Sequence, residues 1–253
     1  MTRPFGSALV VIPARLASTR LPGKPLADIA GEPMIVHVWR RAVEAGVGPV
    51  VVACGDAPIA EAVRRAGGTA VMTPSDLPSG SDRIHCALEI IDPDRKHGAV
   101  INLQGDQPMI RSHLLTTVLD TLNWGDISTL ARPIRPEEPA DDPNVVKVAA
   151  AWPAGGGPGR ALYFSRSAIP WGEGELLHHI GLYAYRRAAL ARFVALPPSP
   201  LERRERLEQL RALEAGMTIA VARVDTVPLG VDTPADLERA RALLAARPPV
   251  TPR

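Results

Sequence analysis

Cysteine is scarce: Cys54 and Cys86 are the only two in 253 residues, and they form neither a Cys-x-x-Cys pair nor a zinc spacing. A thiol redox motif and a structural zinc site are thereby excluded, and a reducing cytoplasm is the expected setting. Aromatic residues make up 4 % of the chain, with Phe5, Phe164 and Phe193 the only phenylalanines, so no stacking platform for nucleic acid is visible. A formal net charge of +2 carries no global basic footprint either. No apolar run approaches the roughly 18 residues that a membrane span needs, and no apolar targeting segment follows Met1. No Ser/His/Asp or Cys/His constellation announces a covalent nucleophile. Lysine is nearly absent, Lys24, Lys96 and Lys147 being the only three among 29 cationic side chains. An arginine is therefore a poor pointer to function in this chain, while Lys24 stands out.

What is present is length enough to bury a sizeable core, and one domain spanning residues 1–253 is expected. Short β-branched runs alternate with amphipathic stretches through the first half, the pattern of βαβ units around a mostly parallel sheet. The expected order is strand 8–12, helix 33–45 stopped at Gly46, strand 49–53, helix 58–66, strand 69–72, a helix capped by Ser81 or Asp82 and running to Ile91, and strand 99–103. After Pro143 the texture changes. Strand-like segments at 145–152, 160–164 and 180–185 lack long helices between all of them, which predicts a small antiparallel insertion over roughly 145–190. A helix at 201–215, a strand at 218–224 and a helix at 234–246 capped by Thr233 complete the order. Prolines cluster at 133–143, read as a loop, and at 248–252, where residues 248–253 read as a frayed tail. There is no internal repeat.

The stretch Val10-Val-Ile-Pro-Ala-Arg-Leu-Ala-Ser-Thr-Arg-Leu-Pro-Gly-Lys-Pro-Leu26 carries the most information. A buried strand runs straight into a loop bearing Arg15, Arg20 and Lys24. Ligands of open parallel sheets bind at the carboxyl ends of the strands, so three cations there read as a receptor for a polyanion such as a nucleoside triphosphate. A Walker P-loop is absent, since Lys24 is followed by Pro25. A second apolar run delivers Gln104-Gly-Asp106 to the same edge, and Asp232 precedes the last helix. Two aspartates from distant strand ends suit Mg²⁺, which takes a few carboxylate oxygens and completes its shell with phosphates and waters. An Asp-Thr-Pro sequence also serves as an ordinary helix start with Thr233 as cap. Ser79-Gly-Ser-Asp-Arg83 joins a flexible turn to a helix start, so that Ser79, Gly80, Ser81 and Arg83 become candidates for the nucleotide; Asp82 complementing the helix dipole explains part of the motif equally well.

These motifs resemble the 3-deoxy-manno-octulosonate cytidylyltransferase (CMP-Kdo synthetase) family. Further matches follow in family order along nearly the whole chain: Asn102-Leu-Gln-Gly-Asp-Gln-Pro108, Tyr163-Phe-Ser-Arg-Ser-Ala-Ile-Pro-Trp171, His179-Ile-Gly-Leu-Tyr183, Leu207-Glu-Gln-Leu-Arg211 and Gly230-Val-Asp-Thr-Pro234. The resemblance implies a Rossmann-like nucleotidyltransferase of α/β class, CTP and the acidic sugar Kdo as substrates, and CMP-Kdo and pyrophosphate as products for lipopolysaccharide biosynthesis. It implies Mg²⁺ on Asp106 and Asp232, a homodimer, and an acceptor-sugar and dimer region over 145–190. Arg15 and Lys24, with Arg20 in support, would hold the triphosphate. Gln104, Arg166, His179, Tyr183, Glu208 and Gln209 would bind Kdo, with Arg166 on its carboxylate and Glu208 and Gln209 on its hydroxyls.

Two positions depart from the family pattern. Gln107 stands where glutamate is usual after Gly-Asp, and Ala53-Cys-Gly-Asp56 replaces Ala-Thr-Asp. The first removes a negative charge beside Asp106 and leaves open an amino-substituted Kdo as acceptor. Sialic-acid cytidylyltransferases share the Ile-Pro-Ala-Arg start but follow it with a Gly-Ser-Lys loop not present here. A catalytically silent sugar-nucleotide binder on the same fold has little need for paired metal carboxylates together with Arg15 and Lys24.

Overall fold

A computed structural model of the chain describes residues 5–17, 20–135 and 137–245. In chain order it forms β1 (Ser7–Ala14), β2 (Asp28–Ile29), β3 (Glu32–Pro33), α1 (Met34–Glu44), β4 (Val50–Cys54), α2 (Ala57–Arg65), β5 (Thr69–Met72), α3 (Gly80–Ile91) and β6 (His97–Asn102). There follow α4 (Ser112–Thr121), β7 (Ile127–Pro133), β8 (Lys147–Ala151), β9 (Gly159–Ser165), β10 (Leu177–Arg186), α5 (Arg187–Ala195), α6 (Pro200–Glu205), α7 (Leu210–Glu214), β11 (Ile219–Arg223) and α8 (Pro234–Ala245). The expected frayed tail and Ala246 lie outside the described residues. Two compact units divide the chain: one holds Leu9–Pro93, Leu103–Ser112 and the segment from Pro228, the other Asp94–Asn102 and His113–Val227 with the residues before Leu9.

In the first unit, β1 pairs in parallel with β4, Val10 opposite Val50 and Ala14 opposite Cys54, and β4 pairs in parallel with β5. All five residues of β4 are buried, as expected of a parallel strand covered on both faces. Gly46, at φ 62°, takes the left-handed turn that ends the chain's run out of α1. Ile29, Met34, Val231, Leu237 and Ala240 form one apolar cluster that fixes α8 against the β2–β3 hairpin. The cap of α3 is Ser79, whose Oγ accepts from Asp82 N at 3.2 Å, and so lies earlier than either predicted residue.

The second unit departs from the expectation of a mostly parallel sheet. Its strand order is β6-β10-β7-β11-β9-β8. There β10 runs antiparallel to β6, β7 and β8, β9 runs antiparallel to β11 and β8, and β7–β11 is parallel. Antiparallel pairing therefore reaches well outside residues 145–190. The Ala99–Ile101 run of β6 is apolar and buried at successive positions, hence on both faces, whichever way its neighbour runs, so its composition does not encode direction.

The predicted helix over 201–215 is two short helices, because Arg206 adopts the left-handed conformation at φ 57°. Glu202 joins the pieces. Its carboxylate accepts from Arg211 Nε and Nη2 at 2.8 and 2.5 Å while closing a capping box with Ser199, and a carboxylate gripped from two sides outweighs one turn of helix. Glu208 and Gln209 consequently lie in the turn between α6 and α7 rather than on a helix face.

Candidate active site

The first unit's strand ends meet at a cavity of about 770 Å³. Gly55 N donates to Ala14 O at 2.9 Å, and Leu16 N donates to Asp56 Oδ2 at 2.7 Å, so the tip of β4 fixes where the loop after β1 begins. Gly23 (φ 68°) then turns the chain into a single 3₁₀ turn over Lys24–Leu26 with Pro25 inside it, a backbone with little freedom left. Arg15, Arg20 and Lys24 from this loop all line the cavity. Ser79, Gly80 and Arg83 line it from the start of α3; Gln104, Gly105 and Asp106 line it from the segment after β6; and Asp232 lines it from the turn before α8. Ser81 is buried and lies outside this lining.

Asp106 and Asp232 are 126 positions apart, and one backbone bond brings their segments together: Val231 N donates to Asp106 O at 2.9 Å. Gly105 lets this segment lie against the end of β1, since a Cβ there would stand 2.9 Å from Pro13 O. Thr233 caps α8 as expected, its Oγ1 accepting from Asp236 N while Asp236 Oδ2 receives Asp232 N, Thr233 N and Thr233 Oγ1. The Asp232 side chain is left for the cavity. Lys24 Nζ donates to Asp106 Oδ2 at 2.9 Å and to Asp232 Oδ1 at 3.0 Å, and Arg20 Nη2 sits 3.2 Å from Asp232 Oδ2. Burial works against the Lys24 cation, but the two carboxylates outweigh it and hold its pKa above the usual lysine value.

This carboxylate pair fits a divalent ion. Both oxygens already surround one cation-sized point, and no cluster of three or more His, Cys, Asp or Glu side chains able to hold a metal occurs among the described residues. A metal held here would take its remaining ligands from phosphate oxygens and water, the habit of Mg²⁺ rather than of a caged structural ion.

Arg83 lines the cavity and also holds the neighbouring 73–75 segment. It is 2 % exposed, and its guanidinium donates to Thr73 Oγ1 at 2.5 Å, Pro74 O at 2.9 Å and Ser75 O at 3.2 Å. Burial and the neighbouring Arg15 charge lower its pKa, with Asp56 opposing. A Cβ at Gly55 would stand 2.9 Å from Arg83 Nη1, so the glycine that departs from the family pattern is what admits this side chain.

The remaining candidates belong to the second unit. His179 and Tyr183 lie on β10 with ring centroids 5.4 Å apart, and Phe164 packs edge-on to His179 at 4.9 Å. Burial, then the Tyr185 and Glu208 charges, raises the Tyr183 phenol well above its usual range, which places the Glu208 carboxylate near that ring. Thr129 Oγ1 has one hydrogen, with the carbonyls of Ile180 and Leu182 both 3.0 Å away; directed at either, it leaves a lone pair for an Nε2 hydrogen of His179 at 3.0 Å, the tautomer in which Nδ1 is the acceptor. Arg166 is anchored by Glu205 O at 2.8 Å, Pro143 O at 2.8 Å and Arg206 O at 3.4 Å. Gln209 is the N-cap residue of α7.

Two partners of Arg166 escape a reading of the sequence. The Glu205 carboxylate receives Arg166 N at 3.0 Å and Ser165 Oγ at 2.8 Å. Lys147, fully buried, donates to Arg166 O at 2.7 Å and Asp142 O at 3.0 Å, and desolvation lowers its pKa. The rarity of lysine that singles out Lys24 applies equally to Lys147, and was the available signal.

Burial, with a smaller push from His178, drives the His179 pKa down to about 3. An unfolded histidine titrates near 6.5, so as pH falls from 6.5 toward 3 the unfolded chain takes up a proton that the folded chain refuses, and stability is lost across that window. Between pH 6.5 and 5 the loss is about 2 kcal/mol, and His179→Gln should remove it from urea-unfolding curves. The His179 ring resonances should keep their neutral positions from pH 7.5 to 5, whereas a midpoint near 6.5 would contradict the burial.

Residues 9–219 match the model of the Cytidylyltransferase family. The 3-deoxy-manno-octulosonate cytidylyltransferase of Parvibaculum lavamentivorans is 65 % identical over 244 residues, covering 96 % of this chain and 94 % of that protein. The enzyme of the same name from Rhodospirillum centenum is 63 % identical over 249 residues, 98 % of this chain and 97 % of its own. Among solved structures, CMP:2-keto-3-deoxy-manno-octonic acid synthetase complexed with CTP is similar at a TM-score of 0.87 and 44 % identity, covering 95 % of this chain and 99 % of that one. With likeness of this degree over nearly its whole length, the chain belongs to the cytidylyltransferase family and, within it, to the 3-deoxy-manno-octulosonate cytidylyltransferases.

Proposed function

We propose that the chain transfers CMP from CTP to Kdo, giving CMP-Kdo and pyrophosphate for lipopolysaccharide synthesis. The observation that carries this reading is the convergence of Asp106 and Asp232 on one ammonium, inside a cavity also lined by Arg15 and Arg20. The 2-hydroxyl oxygen of Kdo attacks the α-phosphorus in line, its proton passes to water, the new P–O bond forms, and the bond to the β-phosphate oxygen breaks with its electron pair leaving on pyrophosphate. Positioning and charge neutralisation dominate such a reaction. Arg15, with its planar fork, and Lys24, with its compact charge, neutralise the triphosphate, and Arg20 assists from the rim. Ser79 and Gly80 face the nucleoside; Arg83 acts through the 73–75 segment that it holds. Asp106 and Asp232 would hold Mg²⁺, which lowers the acceptor hydroxyl's pKa and offsets phosphate charge when bound.

For the acceptor, Gln104, His179, Tyr183, Glu208 and Gln209 supply hydrogen-bonding groups, and Arg166 offers the sugar carboxylate its charge and the two N–H groups that Glu205 O, Pro143 O and Arg206 O leave over. His179 serves as a neutral ring, not as an imidazolium. The parallel strands and helices of the first unit support a Rossmann-like assignment, residues 145–190 are proposed to carry a homodimer contact, and the setting is proposed as cytoplasmic. No helix among the described residues is long and apolar enough to cross a membrane.

Pyrophosphate release tests the reading, with CTP and Mg²⁺ offered against Kdo, its amino analogue and sialic acid. Release is expected with Kdo. Turnover with sialic acid alone would overturn the acceptor, and none with any of the three would favour a silent binder.

A further inference from the structure

We propose that Lys24 is a resident counter-ion at the metal point between Asp106 and Asp232, so that a divalent ion gains its place only when a triphosphate draws the ammonium away. The inference rests on the reading of Asp106 and Asp232 as the metal carboxylates and deepens it. One ammonium lies 2.9 Å from Asp106 Oδ2 and 3.0 Å from Asp232 Oδ1, in a side chain only 16 % exposed. A divalent ion bridging the same two oxygens would need that point, and the two cations exclude one another by size and by charge. The exchange needs no backbone movement. Gly23 and Pro25 hold the turn, while the lysine's four-carbon stem swings its three donors freely.

A triphosphate entering the cavity changes both sides of this balance. Its oxygens accept the Lys24 donors, which empties the point, and they supply the ligands that two carboxylates alone lack for a six-coordinate ion. Each ligand therefore strengthens the other's binding, by the reciprocity that any such coupling obeys. At that point the ammonium also keeps two carboxylates from facing each other unscreened. The arrangement delivers metal and nucleotide together and discourages an idle metal ion.

The test uses Mn²⁺ alone, without nucleotide, read by electron paramagnetic resonance on the full chain. Lys24→Met should bind Mn²⁺ at least about tenfold more tightly than the parent, since a unit charge at this range shifts a neighbouring ionic equilibrium by that order. Arg20→Met removes the same charge from an exposed contact with Asp232 alone, and should change Mn²⁺ affinity by less than about threefold. Lys24→Arg keeps the charge and should stay near the parent. Circular dichroism melts confirm that each variant folds. If folded Lys24→Met binds Mn²⁺ no more tightly than the parent, and Asp106→Asn still abolishes the binding there is, the exchange is wrong and the metal site stands. If Asp106→Asn, in the parent or in Lys24→Met, leaves Mn²⁺ binding unchanged, the carboxylate site itself falls. An equal gain from Arg20→Met and Lys24→Met would reduce the effect to general charge and overturn the proposal.

Discussion

Replacing Asp106 by asparagine is expected to cut turnover by at least about a thousandfold while leaving the fold intact. Asparagine keeps the shape and removes the charge. The backbone of residue 106 is fixed by its carbonyl, which accepts Val231 N, and by Gly105 against Pro13, and neither contact involves the side chain. What is lost is one of the two oxygens on Lys24, from a side chain 28 % exposed. A partly exposed ion pair contributes about 1 kcal/mol at most, so the melting temperature should move by no more than about 4 °C. The chemical loss is larger because two negative groups must be brought together at the α-phosphorus, where charge placement dominates. Pyrophosphate release at saturating Mg²⁺, paired with a thermal melt, separates the two effects. Turnover within tenfold of the parent would remove Asp106 from the mechanism, and inactivity matched by unfolding would make it a structural residue.

The convergence of Lys24, Asp106 and Asp232 on one cavity was legible because its logic is local. A rare lysine behind a glycine, an aspartate directly after a buried strand and another directly before a helix each announce themselves by neighbours a few residues away, and all of them line one cavity. Two helix limits were read from a glycine stop and a threonine cap, as Gly46 and Thr233 illustrate, while the cap of α3 fell at Ser79, earlier than expected. Features settled by distant partners were not legible. The break at Arg206 depends on Glu202 being held by Arg211, the direction of β10 on which neighbours it meets, and the task of Arg83 on carbonyls eight and nine residues upstream. Glu205 belongs to the same class, since neither its spacing nor its residue type tells that it is bonded to Arg166, and the rarity that marks Lys147 does not tell which partner it meets.

Arg83→Met is expected to lower stability by about 4 kcal/mol, roughly a 10 °C fall in melting temperature for a chain of this size. Methionine fills much of the volume but leaves Thr73 Oγ1 and the carbonyls of Pro74 and Ser75 without the donors that now hold them. Hydrogen bonds from a buried charged group are the costly ones to lose, and burial combined with the nearby Arg15 charge already weighs against the Arg83 cation. Those partners take three of the five guanidinium donors. With holding the 73–75 segment as its whole task, the ratio of kcat/KM for CTP over UTP should stay within about threefold of the parent well below the melting temperature. A melt and a competition between the two nucleotides settle the matter together. If discrimination collapsed while the melting temperature held, Arg83 would be reading the base, and the bonds to the 73–75 segment would be the incidental ones.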